Sequence, residues 1–529
     1  MNSELEIISQ WCVLEIKLVS DHAYANPYKE ITIVTYFFFP QGQKIIREAF
    51  WCGGDLWKVR FAPPSIGKWT WNSKCSDALN KGLHNHNGEI ICKAYEGTLP
   101  IYKHGFVRIS DNKRHFAHAD GTPFFWLGDT HWQMPNTERV DVCNHPDHGA
   151  KACPHGGQFQ HLVDDRKVKG FTVYQTYPAA SSTEWWSSKY TEINPQRFES
   201  VFDVQIGHLA NQGFVIGLGF GHFNDSMIIP VDELRGWARY LVARYGAYPI
   251  VWLTCQEMNA PEDKGQNLIA AWKAVAEEIA LTDGYGHPHS GHQWVYDVAT
   301  SPLGGEHWHD WFALQGGHLN SRLTPQARYA GYYNFFPTKP MVETEAMYEA
   351  VDCGGVADSN DARKSAWKAM LCGCAGYTYG AGGIWALKWD ASDTRWKDYN
   401  HQIESWHAGM ALLGSVQMSI LKYFFISLPW MALTPRFTDP AWSTWEDPDR
   451  STILATVDNS LYLAYCHGKT SKGKLKQLAL GGTYEVRWFN PQIGAYKGNP
   501  FLIKPIKSEW DIPEMPSTED WVLLLTRQT

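Results

Sequence analysis

The sequence lacks most of the features that place a chain in a class at a glance, and each lack excludes something. It has no run of lysine and arginine, and 47 basic against 55 acidic residues leave a formal charge of −8, so the electrostatic footprint of a nucleic-acid or anionic-membrane binder is missing. A neutral or weakly charged substrate suits that balance better. No apolar run reads as reaching the roughly 20 residues a membrane helix needs. The start Met1-Asn2-Ser3-Glu4-Leu5-Glu6 lacks the basic-then-apolar pattern of a secretory leader. The expectation is therefore a cytoplasmic chain with no nucleic-acid or membrane partner, or a secreted one if a leader has been trimmed. Eleven cysteines in 529 residues are too few, and odd in number, for a disulfide framework, in keeping with a reducing compartment. Low-complexity tracts and short repeats are missing, which excludes solenoids and propellers. So are a phosphate-binding loop, a dinucleotide fingerprint and a Gly-x-Ser-x-Gly elbow.

What the chain has in excess is aromatic side chains, 14% of the residues with 26 tryptophans. Indole faces stack on the C–H faces of sugars, but tryptophan also fills large cores. A chain of this length exceeds what one core can organise, about 250–300 residues, so about three domains are expected. Residues 1–100 alternate apolar and polar positions between Gly, Pro and Asn, as in Trp11 to Leu18, Ile31 to Phe39 and Leu56 to Phe61, the pattern of a β-sandwich. Over 101–420 short apolar runs alternate with stretches of three- and four-residue apolar spacing, which predicts parallel strands joined by helices. Eight strands are read: Phe124–Gly128, Thr172–Thr176, Val215–Leu218, Ile250–Leu253, a weak one at His287–Ser290, Phe312–Gln315, Met341–Glu343 and Gly376–Thr378. That number fits a closed (β/α)8 barrel. Residues 421–529 return to β patterning and predict a small C-terminal sandwich.

Barrel enzymes carry their chemistry at the C-terminal ends of the strands. Strand four runs into Gln256-Glu257-Met258-Asn259 and strand seven into Glu343-Thr344-Glu345, on opposite sides of the mouth. Cleaving a glycosidic bond needs one carboxyl to protonate the leaving oxygen and another to attack or to activate water. Glu257 is the candidate acid/base and Glu345 the candidate nucleophile. A random glutamate is usually a solvated loop residue, but one beside a buried strand end costs energy unless it has a partner or a role. Glu343 is the rival nucleophile, since it would point the same way if the strand ran straight on. The other strand ends offer Asp129, His131, Trp132, Gln175, His222, Gln256, Asn259, Gln315, His318, Tyr348, Tyr379 and Trp385 as substrate contacts, with Met134, Trp132 and Trp385 readable as wall or core and the two histidines also readable as satisfied core groups. The pair Trp185-Trp186, in a Ser-rich loop, reads as a sugar platform on the rim.

These blocks resemble the apiosidase-like glycoside hydrolases, barrel enzymes related to clan A. The resemblance is carried by Asp120 to Thr130, Gly170 to Gln175, Arg244 to Trp252 running into Glu257, Lys339 to Glu349, and Ala375 to Gly380 through Trp385. It implies a barrel between a β-sandwich and a small β domain, Glu257 as acid/base and Glu345 as nucleophile. It also implies a retaining, exo-acting enzyme that removes a terminal sugar, with a β-apiosyl group the leading candidate. Two departures stand out: Cys255-Gln256 where the family often has Gly-Gly, with an acid that can be Asp, and Ala346 where Pro is common. The alternatives are another furanosidase, an endo-glycanase, or a carbohydrate-binding protein with an inactive barrel.

The two-carboxylate scheme needs no cofactor. One further cluster, Cys143, His145, His148, Cys153 and His155, could complete a tetrahedral structural zinc site with four of its five members. The competing reading is a polar loop whose imidazoles meet sugar, solvent, Asp141 or Asp147.

Overall fold

The computed structural model describes residues 5–146, 153, 156–260, 268–294, 303–316, 323–395, 401–447, 450–468 and 473–528. Eight parallel strands run Trp126–Thr130, Val173–Thr176, Val215–Gly219, Ile250–Leu253, His289–Gln293, Phe312–Gln315, Met341–Glu345 and Gly376–Tyr379. The fifth is split at Gly291: His289–Ser290 pairs with the fourth strand and His292–Gln293 with the sixth. The first pairs with the eighth from Trp126↔Gly376 to Asp129↔Tyr379, so the sheet closes on itself. Glycine is required at the split because a Cβ on Gly291 would lie 2.7 Å from Met258 Sδ and 2.8 Å from a Leu303 methyl.

The barrel is filled at its lower end by Trp126, Val173, Val215, Val251, Ala313 and Val342, with Trp311. It is plugged by a small sheet, Val107–Ile109, Phe116–His118 and Pro123–Phe124. The predicted first strand thus loses Phe124 to the plug, where it pairs with Phe116. Interleaved helices cover the outside. The last, Leu413–Ile426, packs on Ser359–Leu371 and carries the barrel past residue 420. By length and composition Trp406–Ile426, mean hydropathy 1.4, does meet the requirement of a membrane span, contrary to the sequence expectation. In the fold it forms two helices, the second burying Met418, Leu421, Phe424 and Phe425 in the main core.

The N-terminal β-sandwich stacks a five-stranded sheet on a three-stranded one around Ile33, Phe37, Val59, Phe61 and Trp69. Its buried arginines reach the barrel. Arg47 donates to the carbonyls of Val242 and Ala243 at 2.8 and 3.0 Å, and Arg60 to that of Arg244 at 2.9 Å. Those carbonyls end helix Val231–Tyr245, where helix geometry leaves oxygens unpaired and the dipole favours cations. Arg60 and Arg244 share Asp203, and despite its burial these cations hold its carboxyl well below the usual range. The C-terminal sandwich is tied on by Arg363 of helix Ser359–Leu371, fully buried with Asp520 at 2.6 Å.

Candidate active site

Two local irregularities aim the carboxylates. Along strand seven Met341 packs outside the barrel and Val342 inside. Strict alternation would send Glu343 and Glu345 outward together. The pairing with strand six slips between Leu314↔Glu343 and Gln315↔Glu345. Glu343 stays outside, accepting from Tyr329 Oη at 2.8 Å and the Gly316 amide at 2.6 Å, while Glu345 turns into the mouth. The rival nucleophile is thus removed by a register shift. Across the mouth Glu257 adopts φ +53°, a left-handed conformation costly for a residue with a Cβ and found where a side chain must be aimed.

The two groups share their partners. Gln315 Nε2 donates to Glu257 Oε1 at 2.9 Å, and its amide also favours the Glu345 anion. Tyr348 Oη donates to Glu345 Oε1 at 2.7 Å and receives the indole N–H of Trp132 at 2.8 Å. His222 Nε2 lies 3.4 Å from Glu257 Oε2, and His292 Nε2 3.2 Å from Glu345 Oε2.

Burial opposes ionisation of Glu257, but His222 first, then Gln315 and His292, outweigh it and hold the carboxyl below its ordinary value. Burial and then the charge of Glu257 push Glu345 up to about 8, against the donors Tyr348, Trp132 and Gln315. Burial and the mutual repulsion of the two groups favour a single proton shared by the pair at neutral pH. His222 faces Glu257, and its own pKa is raised because Glu257 overcomes its burial.

The carboxylates face a cavity of about 530 Å³ whose wall includes Trp132, His222, Gln256, Tyr348 and Trp385. Both polar atoms of the Gln256 amide are buried without a partner among the described residues, on a side chain only 3% exposed. The other predicted contacts lie elsewhere. Asp129 and His131 are fully buried beneath the mouth, Asp129 between Arg166 and His131, and His131 between Asp129 and Glu138. Gln175 donates to the Thr344 carbonyl at 2.9 Å, bracing strand seven. Tyr379 donates to Glu349 at 2.5 Å, and Asn259 accepts the Trp294 amide at 2.7 Å. Met134 is core. Trp185, fully buried against Phe198 and Phe202, is no sugar platform, and neighbouring Trp186 stacks on Trp237. The Ser-rich loop folds back on the helices, so aromatic burial won over display. His318 lies outside the described residues.

Of the candidate zinc ligands, Cys143 and Cys153 are joined as a disulfide, so their sulfurs are not thiolate donors and not every cysteine is unpaired. His145 packs edge-on to His161 and His407; His148 and His155 lie outside the described residues. Among the described residues no group of three donors is arranged to hold a metal. Wall residues that the sequence reading passed over include Tyr177, Ser181, Asn224, Asp225 and Asp352. Tyr177, Asn224 and Asp225 sit one to six residues past a strand end and were reachable by the rule that found His222.

The family model for the apiosidase-like catalytic domain matches residues 110–432, a span holding all eight barrel strands and both carboxylates. A domain of unknown function, DUF5060, is matched over 7–76. No curated protein matches. Among solved structures, a Bacteroides vulgatus protein assigned as a glycoside hydrolase superposes with TM-score 0.74 at 14% identity, covering 99% of this chain and 100% of its own. A family 5 glycoside hydrolase from the same organism gives 0.65 at 19%, covering 81% and 95%. At such identities the likeness concerns the fold, a barrel with flanking β domains. With a family match over more than half its length and paired carboxylates at the barrel mouth, the chain belongs to the apiosidase-like family and is a glycoside hydrolase.

Proposed function

We propose that the protein is a retaining, exo-acting β-glycosidase that releases a terminal neutral sugar, with a β-linked apiosyl group first among the candidates because of its family. The observation that carries this reading is that Glu257 and Glu345 line one cavity from opposite strands, with Gln315 donating to Glu257 and favouring the Glu345 anion. Retention asks for roughly 5–5.5 Å between a nucleophile and acid working on one anomeric centre, whereas inversion needs about 6.5–9.5 Å for a water between them. The cavity has room for one sugar and part of an aglycone. Among its described wall residues there is no lysine or arginine, which suits an uncharged sugar.

In this reading Glu345 attacks the anomeric carbon as the bond to the leaving oxygen breaks, and that oxygen takes the proton of Glu257. A glycosyl ester on Glu345 results. Glu257, now anionic, removes a proton from water as the water oxygen attacks the same carbon, returning Glu345 as carboxylate and Glu257 as acid. The proton the pair shares must therefore stand on Glu257 when substrate is bound. A glycosidic oxygen beside Glu257 rewards the protonated form, and positive charge growing at the anomeric carbon rewards an anionic Glu345. His222 steadies the Glu257 anion in the second half. The unpaired Gln256 amide is placed to bond a sugar hydroxyl, and Trp132 and Trp385 offer apolar faces.

Aryl pentofuranosides and pentopyranosides of both anomers, with the first-formed product followed by NMR, test the proposal. A β-glycoside should yield the β-sugar first, and Glu345→Gln should lower turnover by orders of magnitude. An α-sugar released first, or undiminished turnover in that variant, would overturn it.

A further inference from the structure

His292 touches both carboxylate-bearing segments, and the two contacts depend on each other. It is fully buried on the second half of the split fifth strand. Its backbone clamps the strand-four loop: the His292 amide donates to the Cys255 carbonyl at 3.2 Å, and its own carbonyl receives the Met258 amide at 2.9 Å. Between those rungs the Glu257 amide, in its left-handed conformation, donates to His292 Nδ1 at 3.4 Å. A ring nitrogen that accepts carries no proton, so the neutral imidazole has its proton on the other nitrogen. That nitrogen, Nε2, lies 3.2 Å from Glu345 Oε2. The edge of Trp132 packs against the ring, centroids 5.6 Å apart at 82°, and limits its rotation.

Resting on the glycosidase reading above, we infer that His292 is a positioning residue that couples the two glutamates: accepting the strained Glu257 amide fixes the tautomer that presents Nε2–H to the Glu345 carboxylate. The other groups at Glu345 are the Tyr348 hydroxyl, the Trp132 indole, the Gln315 amide and the Glu257 carboxylate. The sequence pattern does not single out this residue: the strand reads as ending at Ser290, since Gly291 and two polar residues follow.

Two conservative variants divide the contacts. Asparagine places an acceptor near the Nδ1 position but has nothing at Nε2; glutamine places an amide donor near Nε2 and loses the acceptor. A dinitrophenyl glycoside, which needs no acid to leave, makes kcat/KM follow the ionisation of Glu345. His292→Asn should lower kcat about 10- to 100-fold, as expected for a lost hydrogen bond to a charged group, with KM changed less than about threefold. It should also move the pH limb upward by about one unit. His292→Gln should keep the limb near that of the wild type. A purely structural role would lower the amount of active protein, counted by titration with a 2-fluoroglycoside inactivator, and leave the limb in place. Wild-type turnover with an unmoved limb in His292→Asn overturns this inference alone; a wild type that cleaves no glycoside overturns the reading beneath it.

Discussion

Replacing Glu257 by glutamine removes a negative charge with little change in volume, and its first effect should fall on the neighbouring carboxyl. Glu345 is raised to about 8 by burial and then by Glu257. A neighbouring charge in the same site shifts a carboxyl by about one to three pH units. Taking an anion away makes ionisation easier, so in Glu257→Gln the Glu345 pKa should fall below its raised value, the part owed to burial remaining. The assay is kcat/KM against pH for a dinitrophenyl glycoside. In the wild type the rate should climb with pH through about 8 as Glu345 ionises, and in the variant the climb should come one to two units earlier. A glycoside with a poor leaving group behaves differently in the wild type. It needs the one shared proton on Glu257, so its rate should be bell-shaped, falling above about 8 as that proton is lost. At low pH it should fall below the ordinary glutamate value, because Glu257 is depressed and the doubly protonated pair has no nucleophile. A limb that stays near 8 or rises in Glu257→Gln would refute the shared proton.

Three other outcomes follow from the packing. Trp185→Ala should cost about 3–5 kcal/mol in urea unfolding with KM unchanged, whereas Trp132→Ala should raise KM and lower kcat; a KM effect confined to Trp185 would restore the rim platform. Glu343, buried and raised to about 8 chiefly by burial, is neutral in the fold but ionises in the unfolded chain above about 4.3. The folded state should therefore lose stability relative to the unfolded as pH rises from about 5 to about 8, and Glu343→Gln should flatten that slope, as read from unfolding midpoints at several pH values; an equal slope in both proteins would place the group elsewhere. Finally, the intact chain should gain the mass of two hydrogens on reduction of Cys143–Cys153, and chelators should leave activity unchanged; zinc at stoichiometric level in the purified protein would reinstate the metal reading.

The barrel was legible because buried parallel strands are short apolar runs, and each was bounded by glycine or by a helix of recognisable period. Val215–Gly219 and Ile250–Leu253 fall within a residue of their expected limits. Glu257 and Glu345 were legible because a carboxylate directly after such a run is out of place unless it is used. Other features were settled only by contacts between distant segments. Trp185 and Trp132 are both tryptophans near a strand end, and composition cannot say that one would meet Phe198 and the other Tyr348. The slip at Gln315 that parts Glu343 from Glu345 belongs to a pairing between strands, not to either strand alone. The charge state of the pair depends on burial together with His222, His292 and Gln315, supplied by strands three, five and six. Local pattern determines which residues are buried and where a strand stops, since period and solvation act over a few residues. Direction and charge state depend on what the closed barrel sets opposite each side chain, and electrostatic energy in a buried mouth is a sum over neighbours that the chain brings together only by folding.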